Sequence, residues 1–387
     1  MKILLMQYIE RATEKLLLEY LQPNKVLIIL GARRVGKTQL IKHLLFKAHE
    51  KIMILNGEDQ DVQTALHDRS VRNYKQFLSD TKLLVIDEAQ AIPDIGLKLK
   101  LMIDSIEGLK IIATGSSVFD LDNQLGEPLV GRSYTFKLFP IAQMELCKTE
   151  NYLDTKGSLN DRLIYGSYPE LLQIENKTKK ENYLREQVNA YLLKDILAFE
   201  GIRKQAKIVA LLRLIAFRVG SEISIESIGR DLDMNKSTVD RYLDLLSKVF
   251  ILHNVRGFSR NLDSEVTKKS KWYFQDNGIR NALINNFNPI ELRDDQGKLW
   301  ENYLISERLK LQEYEQQHAA NFFWRTHTQQ EIDWIEDSGG KLNAFEFKWG
   351  KSSKVKTPPL WRKNYEDSTF ELINPQNYLD FILPKIE

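Results

Sequence analysis

Uninterrupted apolar runs alternate with amphipathic stretches along the first third of the chain. The runs that begin at Lys25, Lys51, Lys82 and Leu109 are mostly aliphatic and short. Runs of this kind are typical of strands that are buried on both faces of a parallel sheet. The stretch after residue 38 instead spaces its apolar residues as a helix does. The pattern therefore predicts an α/β core over residues 1–140, with a parallel sheet between helices.

The middle of the chain has apolar positions at helical spacing. Residues 141–205 predict a helical lid, which is broken at the segment YGSYPE, residues 165–170. Next, an apolar helix ends near Gly220, and Ser224 is placed to cap a short helix. A turn then leads to a second helix, and a strand follows it. This order predicts a winged helix-turn-helix over residues 206–265.

The last third of the chain predicts an α+β domain over residues 266–387. A linker enters a strand near residue 270, and a helix begins at Gly297. Three strands follow from Asn321, Glu331 and Leu342. The turn DSGG, residues 337–340, makes the last two strands a hairpin.

One loop in the first third has a specific chemical pattern, Gly31-x-x-x-x-Gly36-Lys37-Thr38. Glycines allow the backbone to curl until successive N–H groups point at a polyphosphate, and the lysine adds a positive charge. The threonine hydroxyl can ligate Mg²⁺, and the following helix directs its N-terminus at the phosphates. The strand–loop–helix context favours this interpretation over an ordinary glycine-rich turn. We therefore predict that the loop binds ATP and that Thr38 binds the metal; the nucleotide-binding residues would be Gly31, Ala32, Arg33, Arg34, Val35, Gly36, Lys37, Thr38 and Gln39.

Two acidic residues end the strand that begins at Lys82. Asp87 would hold the water shell of Mg²⁺, and Glu88 would act as the general base that polarises the attacking water. A helix-capping role for the pair is the alternative. The catalytic role is favoured because the pair follows a phosphate-binding loop and an apolar strand.

Hydroxyl and arginine side chains supply further candidates. Thr114 or Ser116 would contact the outer phosphate or the water, or cap the next turn, and we place Ser116 with the nucleotide-binding residues. Arg132 would stabilise the charge of the transferring phosphoryl group in its own or a neighbouring subunit, or lie in a surface loop. The residue types leave these alternatives open.

Carboxylates and a lysine recur in the predicted C-terminal hairpin. Because side chains alternate along a strand, Glu346 and Lys348 share one face, whereas Asp333 lies mid-strand, where an acid needs a partner. Two carboxylates can hold Mg²⁺ that generates hydroxide, while the lysine stabilises the attacked phosphate. The pattern indicates a nuclease metal site at Asp333 and Glu346, with Glu301 and Lys348 nearby. An amphipathic hairpin with a surface Glu–Lys pair is the alternative.

Eight segments occur in order along the chain: GARRVGKT, LLVIDEAQAIP, IIATGSSVF, LVGR, YGSYPELL, STVDRYLDLL, KWYFQDNGI and EIDWI…FEFKWGK. Their combination resembles, over nearly the whole chain, a prokaryotic family of AAA-type P-loop ATPases fused to a C-terminal domain of unknown function. The resemblance implies a P-loop ATPase core, a winged helix and a restriction-endonuclease-like terminal domain. It also implies ATP binding at the loop, Mg²⁺ binding and hydrolysis at Asp87 and Glu88, and a role for Arg132. Ser167 departs from a more usual glycine, and this departure does not touch the chemistry.

Composition narrows the class of protein. The chain has 387 residues, of which 43% are apolar and 28% charged, as in ordinary globular proteins. The single cysteine, Cys147, excludes an internal disulfide and favours a reducing compartment. No apolar run forms a secretory signal or reaches membrane-spanning length. A cytoplasmic protein without membrane contact is therefore expected.

The net charge of the chain does not distinguish a nucleic-acid partner from a protein partner. The net charge is only +2, so DNA contact would depend on a local patch. Residues 221–256 hold five basic and six acidic side chains, which leaves DNA and a protein partner equally open. In the DNA alternative, the second helix of the winged helix would present Asn235, Lys236, Ser237, Thr238 and Arg241.

Three hypotheses for function follow. The primary one is an ATP-hydrolysing AAA-type switch or motor in a DNA-associated assembly. The alternatives are an ATP-gated, Mg²⁺-dependent nuclease and a nucleotide-dependent scaffold for protein contacts. The sequence does not set the oligomeric state, and an oligomer is compatible with all three.

Overall fold

The computed structural model describes residues 8–46, 50–116, 128–192, 205–259, 270–350 and 355–385. The chain divides into two compact units. The first contains the chain through Pro140 together with residues 248–250, and the second contains residues 141–247 and 251–387. Each unit has its own β-sheet. Within the described ranges, no helix combines the length and the apolar character needed to traverse a bilayer.

The first unit contains a parallel five-stranded sheet. Its strands are β1 (Val26–Leu30), β2 (Ile52–Asn56), β3 (Leu83–Asp87), β4 (Lys110–Gly115) and β5 (Ser133–Lys137). They lie in the order β2-β3-β4-β1-β5, and all neighbours are parallel. Every residue of β1 is buried, as its aliphatic sequence predicts. The structure confirms the α/β core and its first four strands, and it adds β5 at the edge beside β1.

Helices accompany these strands. They are α1 (Thr13–Tyr20), α2 (Lys37–Phe46), α3 (Gln60–Ala65), α4 (Val71–Leu78) and α5 (Ile95–Ser105). Because the strands are parallel, their carboxyl ends share one edge of the sheet, and the loops that follow β1, β3 and β4 meet there.

The second unit begins with helices, as predicted. They are α6 (Gln143–Leu146), α7 (Tyr152–Gly157), α8 (Leu159–Tyr165) and α9 (Lys177–Glu186), with a 3₁₀ turn at Pro169–Gln173 and a π-helical turn at Gln187–Leu192. The predicted break lies at Gly166, whose φ of +74° ends α8 in a left-handed conformation.

Helices lie at the positions predicted for the helix-turn-helix segment. Its elements are α10 (Gln205–Phe217), β6 (Glu222–Ile223), α11 (Ile225–Asp231) and α12 (Lys236–Lys248). Ser224 caps α11, because its hydroxyl accepts a hydrogen bond from the Ser227 N–H at 3.3 Å.

A seven-stranded mixed sheet forms the core of the second unit. Its further strands are β7 (Leu252–Gly257), β8 (Ser270–Phe274), β9 (Ala320–Arg325), β10 (Glu331–Ser338), β11 (Lys341–Phe347) and β12 (Thr369–Ile373). The order is β12-β11-β10-β9-β7-β8-β6. The predicted hairpin is β10–β11, and its turn is closed by the Asp337 carboxylate, which accepts a hydrogen bond from the Gly340 N–H at 2.8 Å. The strand that was predicted to open the wing is β7, and it lies between β8 and β9. The segment predicted as a winged helix-turn-helix (residues 206–265) and the predicted terminal domain (residues 266–387) therefore contribute strands to one sheet.

The remaining helices are α13 (Asn277–Leu283), α14 (Gln296–Tyr314), α15 (Pro359–Asn364) and α16 (Tyr378–Ile382), with a 3₁₀ turn at Ile290–Leu292. α14 starts one residue before the predicted position and is the longest described helix, with 19 residues.

A buried aspartate joins the segments YGSYPE and KWYFQDNGI. The Asp276 carboxylate accepts hydrogen bonds from the backbone N–H groups of Ser167 (2.7 Å) and Gly278 (2.8 Å). The backbone comes so close at Gly166 and Gly278 that neither position has room for a side chain. A Cβ on Gly166 would lie 2.0 Å from Asp276 Oδ1, and one on Gly278 would lie 2.0 Å from the Tyr165 carbonyl oxygen. Asp276 therefore holds the two segments against each other.

A half-buried acid, Asp295, neutralises two buried arginines. Arg280 donates to Asp295 Oδ2, while Arg293 donates through Nε to Oδ1 at 2.8 Å and through Nη2 to Oδ2 at 2.9 Å. The two arginine side chains are only 2% and 0% exposed. Burial by itself raises the pKa of Asp295, but the hydrogen bonds and charges of the two arginines outweigh burial and lower that pKa to about 2.

Candidate functional site

The loop after β1 curls at the carboxyl edge of the parallel sheet. Arg34 and Gly36 both have left-handed backbones, with φ of +64° and +100°. The Gly31 N–H donates to the Gly115 carbonyl at 3.2 Å, and a Cβ on Gly31 would lie 2.2 Å from the Leu138 carbonyl oxygen. The two glycines of the motif therefore meet separate requirements, one for close approach and one for conformation.

Lys37 lies inside this curl. It is only 5% exposed, and its ammonium group donates to the carbonyl oxygens of Gly31 (2.7 Å) and Ala32 (3.1 Å). A buried ammonium group needs acceptors, and phosphate oxygens are stronger acceptors than carbonyls. The N-terminus of α2 starts at the same point, so charge and helix dipole both favour an anion in the loop.

The loop and the strand-end acids face each other. The Thr38 hydroxyl donates to Asp87 Oδ2 at 2.8 Å, and the Thr114 hydroxyl donates to Asp87 Oδ1. Hydroxyl and carboxylate oxygens are the ligands that Mg²⁺ prefers, so Thr38 and Asp87 fit this cation, directly or through its waters. The structure thus places Thr114 beside the predicted magnesium ligand.

Glu88 has a constrained backbone. Its φ of +51° is unusual for a residue with a side chain. The Gly57 N–H donates to the Asp87 carbonyl at 2.7 Å, and a Cβ on Gly57 would lie 2.3 Å from the Glu88 carbonyl oxygen. The Glu88 N–H donates to the Thr114 hydroxyl at 3.1 Å. Several contacts therefore hold Glu88 in a conformation that costs energy, as is common for residues at functional sites.

Other predicted nucleotide contacts lie at the same edge. Ser116 follows β4 and is 9% exposed, next to the Gly115 carbonyl that binds the loop. Arg33 extends from the loop, where its Nη2 lies 3.9 Å from Glu58 Oε1. The positions agree with the predicted set, and the contacts of these side chains with nucleotide stay a prediction.

Arg132 lies at the opposite edge of the sheet. It precedes β5, and its carbonyl accepts a hydrogen bond from the N–H of Val26, the first residue of β1, at 3.0 Å. The loop follows the other end of β1, roughly 16 Å away for five residues at about 3.3 Å each. The Arg132 guanidinium instead binds Asp104 Oδ1 at 2.8 Å. The length of β1 therefore separates Arg132 from the loop of its own chain. This position favours the alternative in which Arg132 acts on a neighbouring subunit, and its role stays a prediction.

Arg11, which the sequence interpretation missed, supports the loop from behind. Its guanidinium donates to the carbonyl oxygens of Val35 at 2.8 Å and of Phe139 at 2.7 Å, and the residue is only 3% exposed. Nothing in the local sequence marks this role, because Val35 and Phe139 are 24 and 128 residues away.

Carboxylates and lysines converge in the second unit. Lys348 Nζ donates to Glu346 Oε1 at 2.6 Å, which confirms that the two side chains share a face. Asp333 lies at an irregularity of β10, and its Oδ2 accepts a hydrogen bond from the Phe347 N–H at 2.8 Å. On the neighbouring elements, Lys271 Nζ lies 2.6 Å from Glu331 Oε1 and 3.5 Å from Glu301 Oε1. Lys271, from β8, and Glu331, from β10, are members of this cluster that the sequence interpretation missed.

The acids of this cluster fit a metal only in part. Burial raises the pKa of Glu301 and of Glu346 to about 7, and it also raises the pKa of Asp333. Over the residues that the structure describes, no group of three or more His, Cys, Asp or Glu side chains is arranged to hold a metal ion. Glu346 Oε2, however, is buried without a hydrogen-bond partner. The predicted site at Asp333 and Glu346 therefore has one buried carboxylate oxygen without a hydrogen-bond partner, one buried lysine (Lys271) and one half-exposed lysine (Lys348) nearby.

Lysines at the start of α12 and on α10 are paired with acids. Lys236 Nζ lies 2.6 Å from Glu226 Oε1, and Lys207 Nζ lies 3.0 Å from Asp233 Oδ2. The hydrogen bond from Lys236 lowers the pKa of Glu226 to about 2. Of the predicted contact residues, Asn235 caps α12 by accepting from the Thr238 N–H at 2.8 Å. The charge that a DNA backbone would need is partly neutralised here.

Three family models match separate parts of the chain. An AAA domain matches residues 23–147, which span all five strands of the parallel sheet and the loop. The first unit contains a P-loop domain of the AAA type. Two domains of unknown function, DUF8612 and DUF4143, match residues 156–289 and 296–375. These matches confirm the part of the resemblance that places a domain of unknown function after an AAA core.

Several proteins are similar to this chain over most of its length. An uncharacterised protein of Methanocaldococcus jannaschii is 25% identical over 91% of this chain and 81% of its own length. An uncharacterised protein of Mycobacterium tuberculosis is 25% identical over 87% of this chain and 72% of its own length. A Walker-type ATPase of Pyrococcus abyssi, a solved structure, has a TM-score of 0.50 at 16% identity, over 72% of this chain and 96% of that chain. This likeness shows a shared fold.

Proposed function

We propose that the AAA domain binds ATP with Mg²⁺ and hydrolyses it, and that the protein works as an ATP-dependent switch. The observation that carries this proposal is the contact of 2.8 Å between the Thr38 hydroxyl and the Asp87 carboxylate. It joins the phosphate-binding loop to the strand-end acids at one edge of the sheet. This is where a triphosphate, its metal and the attacking water would meet.

Each residue of the site has a separate role in the proposed hydrolysis of ATP. Lys37 would exchange its carbonyl acceptors for the outer phosphate oxygens of ATP. Thr38 and Asp87 would hold Mg²⁺, which when bound neutralises charge on the phosphate oxygens. Glu88 would accept a proton from the water that attacks the outermost phosphate.

The binding part of the proposal is tested at Lys37. Lys37→Ala is expected to weaken ATP binding by about 10- to 150-fold, because a hydrogen bond to a charged group contributes about 1.5–3 kcal/mol. Calorimetric titration with ATP and Mg²⁺ measures the affinity. Lys42→Ala removes an exposed lysine of the same helix and should bind as the wild type does. Unchanged affinity in Lys37→Ala, or no binding heat with the wild-type chain, would overturn the assignment.

We assign the helix-turn-helix segment to contacts with a protein partner of the switch, in preference to DNA. The pairing of Lys236 with Glu226 and of Lys207 with Asp233 supports this assignment, because non-specific DNA affinity comes from unpaired cations that displace counterions. Binding of labelled duplex DNA that weakens steeply between about 50 and 200 mM salt would refute it.

A second candidate function is Mg²⁺-dependent cleavage of nucleic acid by a restriction-endonuclease-like terminal domain. The observation that favours it is the buried, unpartnered Oε2 of Glu346, next to Asp333 and Lys348 in the Asp…Glu-x-Lys arrangement. Asp333 and Glu346 would hold the metal, and Lys348 would contact the attacked phosphate.

The cleavage assay uses labelled single-stranded and duplex DNA with Mg²⁺ and ATP. If the terminal domain is a nuclease, Glu346→Gln should abolish product, because it removes a metal ligand. Glu371→Gln makes the same change at an exposed position of the adjacent strand β12 and should leave cleavage intact. Absence of product from the wild-type chain on every substrate would eliminate this candidate and leave the ATPase proposal standing.

A further inference from the structure

A glutamine joins the two sides of the proposed hydrolysis site. Gln90 lies in the 3₁₀ turn Ala89–Ala91 that follows Glu88. Its Nε2 donates to Glu88 Oε2 and also lies 3.3 Å from the Ser116 hydroxyl oxygen. Ser116 follows Gly115, whose carbonyl binds the phosphate loop. The side chain of Gln90 therefore connects the proposed general base to the strand end beside the loop.

The hydrogen bond from Gln90 acts on one oxygen of Glu88 and leaves the other open. Within the described part of the chain, no residue donates to Glu88 Oε1. A carboxylate with one oxygen tethered has a defined direction for its remaining lone pairs, which is the arrangement that a general base needs. Glu88 has a second constraint at its backbone, where φ is +51°.

The orientation of the Gln90 amide is dictated by these contacts. Its Oε1 is buried without a hydrogen-bond partner. A buried, unpaired acceptor is unfavourable, so the amide would turn over if its N–H donors were not required elsewhere. The opposite orientation would place two acceptors, Gln90 Oε1 and Glu88 Oε2, against each other. The preference for the observed orientation thus comes from the carboxylate of Glu88.

The turn itself is anchored independently of Gln90. Gln63 Nε2 donates to the carbonyl oxygens of Gly57 at 2.8 Å and of Ala91 at 3.2 Å. These bonds tie the loop after β2 to the end of the turn. The Gln90 side chain is therefore free to be replaced without removing the contacts that shape the backbone.

We propose that Gln90 is the positioning residue for Glu88 in ATP hydrolysis. It holds one carboxylate oxygen so that the other points at the attacking water, and Ser116 fixes the glutamine in turn. This inference rests on the proposed ATPase function. Gln90 acts through Glu88, so its removal should slow the chemical step and leave nucleotide binding almost unchanged.

The test compares kinetic constants of two variants with those of the wild type. Gln90→Leu removes the donor at similar size, and Gln90→Glu keeps the shape but places a second carboxylate beside Glu88. In both variants we expect kcat for ATP to fall by about 10- to 100-fold, with KM changed less than about threefold. The reason is that a misplaced general base stabilises the transition state less but does not alter the binding of ATP. Gln76→Leu makes the same substitution at an exposed position of α4 and should keep both constants. A cooperative thermal unfolding transition would establish that each variant is folded.

A double substitution separates positioning from a structural role. In the Glu88→Gln background, Gln90→Leu should cause no further loss in single-turnover rate, because the two residues act as one unit. A wild-type-like kcat in Gln90→Leu, an equal loss in the Glu88→Gln background, or a loss confined to ATP affinity would each overturn the inference. If the wild type hydrolyses ATP and Glu88→Gln does not, such a result leaves the proposed function standing. If the wild type shows no turnover, the proposed function falls, and the role of Gln90 falls with it.

Discussion

Glu88→Gln is expected to lower the turnover of ATP by about 10²–10⁴-fold, the range that a positioned general base contributes. The glutamine keeps the size of the side chain but cannot accept a proton from water. The backbone of residue 88 should hold, because Gly57 and Thr114 contact its carbonyl and N–H groups and not its carboxylate. Release of phosphate from ATP, measured at saturating nucleotide, gives the turnover.

Binding and hydrolysis should separate in this variant. Calorimetry on Glu88→Gln should give an ATP affinity close to that of the wild type, in contrast to Lys37→Ala. Glu107→Gln, at an exposed position between α5 and β4, is the matched control for the loss of a carboxylate and should hydrolyse normally. Turnover within a factor of about three of the wild type in Glu88→Gln would exclude Glu88 as the general base.

Asp295→Ala is expected to lower the free energy of unfolding of the second unit by about 3–5 kcal/mol. The alanine would leave the guanidinium groups of Arg280 and Arg293 buried without their shared carboxylate. Removal of one partner from a buried ion pair is costly because the remaining charge stays desolvated. Denaturant unfolding followed by tryptophan fluorescence measures the change. Asp294→Ala, at the exposed neighbouring position, should change stability by less than about 0.5 kcal/mol.

The lowered pKa of Asp295 predicts that the stability of the second unit depends on pH. Its pKa is lowered from 3.8 to about 2 in the folded protein, so its contribution to stability is complete above pH 3.8 and is lost as pH falls toward 2. The wild type should therefore lose more stability than Asp295→Ala between pH 4 and pH 2. Parallel acid titrations of the two proteins would contradict the assignment.

The phosphate loop and its acids could be predicted because each is a contiguous segment with a local physical signature. An aliphatic run, two glycines and a lysine specify a strand, a curl and a helix start within about 20 residues. Arg132 shows the limit of this approach. The segment LVGR contains no apolar run that announces β5, so the sequence did not reveal that Arg132 precedes a strand parallel to β1. Only the direction of that strand places Arg132 at the far edge.

Most features that could not be predicted from the sequence depend on contacts between segments that are far apart in the chain. Arg11 reaches the loop through carbonyl groups, which have no side-chain signature. Lys271 joins the acids of the second unit from a strand that lies 60 residues before Glu331. The hairpin itself was predictable from its turn and alternation, whereas the internal cation that balances its acids depends on the order of seven strands.

The position of β7 in the interior of its sheet has a consequence for dissecting the protein. β7 pairs with β8 on one side and with β9 on the other, and both partners come later in the chain. A chain cut between residues 265 and 266 would separate β6 and β7 from their partners β8 and β9. It would expose backbone donors and acceptors on all four strands, and such unpaired strand edges promote aggregation. Fragments for expression should therefore keep residues 222–385 together, so that all seven strands of this sheet stay in one chain.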